Sequence, residues 1–201
     1  RIVIVDSGST DNTIEIAKKY NVDVYIHPFE NYARQFNWGL DNVNIDTKWS
    51  LRLDADERFT PELCRELEEQ MDKHINDDIN GFVLEAWLFF MGKKLKHGGS
   101  AKKKLMVFKT GIGRIEDRKM DEHTVLSSGT ALEIKEKFLH YDFKDLTTYV
   151  KKLNWYATRE MQDYYDGAFP DEEFNASNAK IASTRRKKTK YYKLPIFWRC
   201  W

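Results

Sequence analysis

The first third of the chain alternates short apolar runs with helical segments, and each apolar run ends in small or acidic polar residues. Residues 2–5 (Ile2-Val3-Ile4-Val5) read as a buried strand. Asp6-Ser7-Gly8-Ser9-Thr10-Asp11 then forms a polar turn. Asn12 is placed to cap the next helix, with Glu15 three residues on as its capping-box partner. That helix puts Ile14, Ala17 and Tyr20 near one face. Residues 23–26 read as a second strand, and residues 32–42 as a helix with Phe36 and Leu40 inward. A third strand over 49–53 runs into Asp54-Ala55-Asp56-Glu57, and Pro61 suits the first turn of a helix carrying Leu63, Leu67 and Met71. This order implies an α/β fold with a doubly wound, mostly parallel sheet flanked by helices.

The second half has a different texture. Residues 81–90, 105–109 and 132–140 read as strands, with a Lys- and Gly-rich loop over 93–104. The strand over 132–140 places Leu132, Ile134, Phe138 and His140 on one face. Residues 146–163 read as an amphipathic helix bearing Leu146, Tyr149, Val150, Leu153, Ala157 and Met161. The expected division is an α/β unit over 1–145 and a C-terminal helix with a basic aromatic tail over 146–201. No apolar run approaches the ~18 residues of a membrane-spanning helix. Two cysteines, Cys64 and Cys200, cannot build a disulfide framework, so a reducing compartment fits best. The chain has no initiator Met, begins in an apolar run and stops in an aromatic stretch, and is expected to be a fragment.

The net charge of +1 conceals a split. Eight basic residues and no acid follow position 174, which leaves 25 basic and 32 acidic residues before it. An acidic body argues against a broad nucleic-acid surface. A basic tail ending in Phe197, Trp198 and Trp201 suits an anionic membrane surface, through residues 180–201.

Chemistry is concentrated at the strand ends. In open parallel sheets, ligands bind beyond the C-terminal ends of strands. Asp54, Asp56 and Glu57 would repel one another there, and a hard divalent cation relieves that repulsion. Read alone, they are equally an acidic turn before a helix. The Asp6 turn lets a backbone approach a ligand, or is an ordinary turn. Asp121-Glu122-His123 can supply a general base, or is a solvated loop. A lone inward His140 is more often a core residue than a ligand. Lys102-Lys103-Lys104 is a solvated run or a phosphate-facing loop. No P-loop and no full dinucleotide fingerprint is present.

Taken in order, Val5-Asp6-Ser7-Gly8-Ser9-Thr10-Asp11-Asn12-Thr13, Gln35-Phe36-Asn37-Trp38-Gly39-Leu40 and Trp49-Ser50-Leu51-Arg52-Leu53-Asp54-Ala55-Asp56-Glu57 resemble a family 2 glycosyltransferase, which implies the GT-A fold. Met120-Asp121-Glu122-His123, Phe138-Leu139-His140 and the closing run from Tyr191 to Arg199 fit the same pattern in order. The likeness is to bacterial lipopolysaccharide-core and exopolysaccharide or capsule enzymes. It implies that Asp6, Ser7, Gln35, Asn37, Arg52 and Asp54 line the nucleotide-sugar site. It also implies that Asp56 and His140 hold Mn²⁺ or Mg²⁺ on the donor diphosphate. The acid pair is reversed relative to the family's Glu-Asp, so Glu122 takes the base position in direct register and Asp121 stays open as the alternative. The implied reaction is inverting sugar transfer from a nucleotide-sugar to a glycan or lipid-linked acceptor, in cell-surface polysaccharide synthesis at the inner face of the plasma membrane. Two other readings remain: an Asp54-dependent phosphotransferase, and a non-catalytic transferase-like binding module.

Overall fold

The computed structural model describes residues 1–97, 102–117, 122–142 and 145–165. The order is β1 (Val3–Asp6), α1 (Thr13–Lys19), β2 (Asp23–Ile26), α2 (Tyr32–Asn42), β3 (Trp49–Leu51), β4 (Glu57–Arg58), α3 (Pro61–Lys73), β5 (Ile79–Phe90), β6 (Lys93–Lys94), β7 (Lys103–Lys109), β8 (Gly113–Ile115), β9 (Thr124–Leu126), β10 (Thr130–Asp142) and α4 (Leu146–Tyr165). The central sheet runs β3-β7-β5-β10-β4, with β6 paired to β5. Separate two-stranded sheets are formed by β1 with β2 and by β8 with β9.

The α/β architecture with helices on both faces of a central sheet is present. Strand directions are mixed, however, where a mostly parallel sheet was expected. Among the described residues β1 runs parallel to β2 and β5 parallel to β10, and the other pairings are antiparallel. The reason lies in the second half, where only twelve residues separate β5 from β7 and the described ones among them form no helix. Parallel neighbours need a crossover of a dozen or more residues, usually helical, whereas a short return gives an antiparallel partner.

Two apolar clusters sandwich the sheet. Leu63 and Leu67 of α3 pack with Phe82, Leu84, Ala86, Met106, Ile134 and Phe138 on one face, with Met71 against them. Phe36 and Leu40 of α2 cover Val83, Leu105, Phe108 and Leu126 on the other. Both helices start where capping chemistry puts them. Asn31 accepts from the Arg34 N–H, and Thr60 accepts from Leu63 ahead of Pro61. The first helix departs from expectation. The Asn12 side chain makes no cap bond, and the Asp11 carboxylate takes the Thr13 N–H instead, at 3.0 Å. Tyr20 lies outside the buried face, at 76% exposure, because the helix ends at Lys19.

Two sheet irregularities matter later. Between β5 and β7 the register slips, pairing Phe82 with Val107 but Val83 with Leu105. The slip inserts Met106 as a bulge, and everything beyond it changes face. Between β5 and β10, Val83 pairs with Glu133 and Glu85 with Lys137. Here Glu66 of α3 accepts from the Lys135 N–H at 3.0 Å and the Glu136 N–H at 2.8 Å, amides that the irregular stretch leaves off the ladder. Hydrogen bonds to a charged acceptor contribute about 1.5–3 kcal/mol each when shielded, less when wet. We therefore expect Glu66→Ala to lower stability by about 1–3 kcal/mol in urea unfolding. A midpoint indistinguishable from the parent would show that water replaces the carboxylate.

Candidate functional site

The N-terminal turn of α2 gathers the chemistry. Its Tyr32 hydroxyl donates to Asp54 Oδ1 at 2.9 Å, reaching the acidic turn after β3. One turn on, Gln35 contacts His27 Nδ1 through Oε1 at 2.8 Å. Its amide nitrogen donates to the Val5 carbonyl at 3.4 Å and the His27 carbonyl at 3.3 Å. On the outer side, Asn31 and Arg34 hold Asp117 at 3.1 and 3.0 Å. Residues i and i+3 share a helix face, so one turn can bind the ends of β1, β2 and β3 and the segment leaving β8.

The acidic turn is an ordered network. The Glu57 N–H closes it on the Asp54 carbonyl at 3.0 Å, and the Asp54 N–H donates to Glu57 Oε2 at 3.0 Å. Lys104 Nζ lies 3.1 Å from Asp54 Oδ2 and also pairs with Glu57 Oε1. Arg52 stacks on the Tyr32 ring, 4.6 Å from its centroid, and donates through Nε to its hydroxyl at 2.8 Å. Burial alone would push the Asp54 carboxyl up, but the charges of Lys104 and Arg52 and the Tyr32 hydroxyl hold it below the usual range. Lys104 is likewise opposed by burial, yet Asp54 and Glu57 keep it above the ordinary lysine value. Burial raises the Tyr32 hydroxyl well above its ordinary range, so it stays a donor.

Asp56 is the exception. Its side chain is 42% exposed, and its Oδ2 lies 3.3 Å from His140 Nε2. The Tyr141 N–H fixes the Asp56 carbonyl at 2.8 Å, and β4 pairs Glu57 with His140, so the two side chains meet by register. Two donors bound side by side on an octahedral ion with bonds of about 2.1 Å sit roughly 3 Å apart, close to this spacing. His140 Nδ1 is buried, and among the described residues it has no hydrogen-bond partner. The imidazole therefore faces Asp56 with either a proton or a lone pair on Nε2. With a proton on Nε2 the contact is a hydrogen bond, and with the lone pair both atoms are free to ligate a shared cation. Among the described residues no third Asp, Glu, His or Cys joins this pair as a metal cluster. Mg²⁺-type ions are commonly held by one or two carboxylates plus water and phosphate, so the Asp56 carboxylate fits such an ion, with the His140 imidazole beside it as a second donor.

The other sequence candidates are distributed as follows. Asp6, 5% exposed, accepts from the Gly8 and Ser9 N–H groups at 2.8 Å each and pairs with the Ser9 hydroxyl. That hydroxyl, then the Ser9 and Gly8 amides, lower its pKa. Gly8 takes a φ of +92°, which favours glycine. Ser7 is exposed on the same turn. The Asn37 side chain clamps Ile115, donating to its carbonyl at 2.7 Å and accepting from its N–H at 3.0 Å. Glu122 lies two residues before β9, and the Glu116 N–H bonds the carbonyl of the intervening His123 at 3.0 Å. Asp121 and the basic tail over 180–201 lie outside the described residues.

Sequence reading missed Tyr32 entirely and Lys104 as an inward group. The three neighbouring lysines part company: Lys102 is exposed, Lys103 pairs with Glu133 at 2.5 Å, and Lys104 enters the acidic turn. No sequence signal marks Tyr32, which reaches Asp54 from a different element. Lys104 depends on the bulge at Met106.

Comparison with known proteins agrees with this geometry. The profile described as Glycosyl transferase family 2 matches residues 1–120. An uncharacterized glycosyltransferase of Rickettsia prowazekii is 25% identical over 171 residues, covering 81% of this chain and 58% of the relative. One from Rickettsia conorii is 25% identical over 178 residues, covering 81% and 60%. The lipopolysaccharide core biosynthesis glycosyltransferase LpsC of Rhizobium meliloti is 26% identical over 164 residues, covering 78% and 59%. The chain thus spans about three-fifths of the length of these relatives. With the acidic turn after β3 bonded to the first turn of α2 and a profile match over more than half its length, the chain belongs to glycosyltransferase family 2.

Proposed function

We propose that the protein transfers a sugar, with inversion, from a nucleotide-sugar to a glycan or lipid-linked acceptor in cell-surface polysaccharide or lipopolysaccharide synthesis. One observation carries the reading: Asp56, in the turn before β4, and His140 of β10 meet at 3.3 Å beside Asp54 and Glu57, whose charges Lys104 already offsets. These two residues would hold Mn²⁺ or Mg²⁺, which when bound supplies Lewis-acid stabilisation of the leaving diphosphate. Asp6 and Ser7 at the end of β1, with Gln35 in the first turns of α2 beside it, are suited to orienting the nucleotide. Arg52 and Asp54 underlie the same cleft, and Asn37 shapes it from behind through Ile115. Glu122, with Asp121 as its neighbour, would accept the proton of the acceptor hydroxyl. The freed oxygen attacks the anomeric carbon as the bond to the nucleoside diphosphate breaks. LpsC is named for lipopolysaccharide core biosynthesis, which supports the choice of acceptor class.

The test is thermal unfolding of the full-length protein against a panel of nucleotide sugars, with and without Mn²⁺. The reading expects a rise in melting temperature that requires both donor and metal. A panel that never shifts the transition would overturn it.

We place the protein at the inner face of the plasma membrane, held there by the basic aromatic tail. Eight cationic residues with no acid from 175 onward, together with Phe197, Trp198 and Trp201, support this placement. No described helix is long and apolar enough to cross a membrane. Sedimentation with phosphatidylglycerol vesicles should pull the protein down at low salt and release it as salt rises. Protein left in the supernatant at low salt would refute membrane attachment.

A further inference from the structure

We propose that Lys104 is a positioning residue that withholds Asp54 and Glu57 from the divalent cation, leaving Asp56 and His140 as its protein ligands. The inference rests on the metal reading above and goes beyond it. Three carboxylates lie within four residues, and any of them could compete for a cation. The hydrogen bonding separates them. Asp54 Oδ1 takes the Tyr32 hydroxyl and Oδ2 takes Lys104. Glu57 Oε1 takes Lys104 and Oε2 takes the Asp54 N–H. All four oxygens are matched to donors within the protein, and the Glu57 side chain is only 1% exposed. Asp56 differs: among the described residues its one side-chain contact is His140.

The fold takes care to bring Lys104 there. Strand side chains alternate faces, so a regular β7 would turn position 104 toward the α2 side of the sheet, where Phe108 lies. The bulge at Met106 reverses the alternation. Leu105 then joins the α2-side cluster, and Lys104, paired with Leu84, faces the acidic turn. The Met106 carbonyl accepts the Arg52 N–H at 2.8 Å, so the bulge is bonded directly to the strand that leads into the turn. A fixed ammonium thus occupies the place a second cation would take, and the site keeps its shape without metal.

The experiment compares wild type, Lys104→Met, Lys104→Arg and the double variant Lys104→Met with Glu57→Gln. Mn²⁺ affinity is read by isothermal titration and by electron paramagnetic resonance, with a nucleoside diphosphate present, and melting temperature is read with and without Mn²⁺. Removing the ammonium from a turn that also carries Asp56 should tighten Mn²⁺ binding by about tenfold in Lys104→Met. Mn²⁺ should also raise its melting temperature more than that of wild type, and Lys104→Arg should behave as wild type. The double variant removes one positive and one negative charge, so the local field is kept while Asp54 is released. It also spares the fold an unpaired buried carboxylate. It should still bind Mn²⁺ several-fold more tightly than wild type. Unchanged affinity in the double variant, whatever its stability, would reduce Lys104 to an ordinary structural ion pair. Mn²⁺ binding to wild type without gain in the variants sinks this inference alone. No Mn²⁺ binding to any of the four sinks it together with the metal reading.

Discussion

Asp56→Asn lowers sugar transfer by about 10³-fold while leaving the metal-free protein as stable as the parent. The magnitude follows from losing a Lewis acid whose transition-state stabilisation is several kcal/mol, at about 1.4 kcal/mol per decade of rate. The preserved stability follows from the surroundings. The Asp56 carboxylate is 42% exposed, and among the described residues its recorded side-chain hydrogen bond is to His140, so no buried charge is orphaned. Its backbone carbonyl, which does structural duty toward Tyr141, is unchanged in Asn. Initial rates across a Mn²⁺ series and one thermal melt check both halves. Undiminished turnover would remove Asp56 from the metal site.

Glu122→Gln gives the second large effect. A positioned general base contributes about 10²–10⁴-fold, and the amide cannot accept a proton. The rate should fall within that range, and the rise of rate with pH that reports base ionisation should disappear. Donor binding in the presence of Mn²⁺ should hold, because Glu122 sits on the loop closed by Glu116 and His123, apart from the Asp56–His140 strands. The parallel Asp121→Asn variant decides between the two carboxylates. A Glu122→Gln enzyme with wild-type rate and pH profile would hand the role to Asp121 or refute a carboxylate base.

Most of the frame was legible because its signals are local. The helix over Tyr32–Asn42 begins and ends where its periodicity does, and Pro61 marks the start of α3. The strand ends carrying Asp6 and Asp54 were read from apolar runs meeting polar residues. His140 was placed on the inner face by alternation alone, and the sheet register carries it to Asp56. The rest depends on nonlocal pairing. Alternation cannot foresee a bulge, so Lys104 read as part of a basic run. Asn37 looked like a ligand-facing amide until the β8 backbone claimed both of its polar atoms. Glu66 looked like one of many exposed acids on α3, and only the irregular stretch of β10 gives it partners. At the first helix, the cap moved by one residue because Asp11 reaches the Thr13 amide as readily as Asn12 could reach its own target.

The arrangement turns on whether Asp56 and His140 act as one site. Mn²⁺ titrated into the full-length protein with a nucleoside diphosphate should bind with a stoichiometry near one. Asp56→Asn and His140→Ala should each abolish that binding, and the double variant should lose no more than either alone. Mn²⁺ bound equally well by both single variants would mean that the two strands do not share a cation.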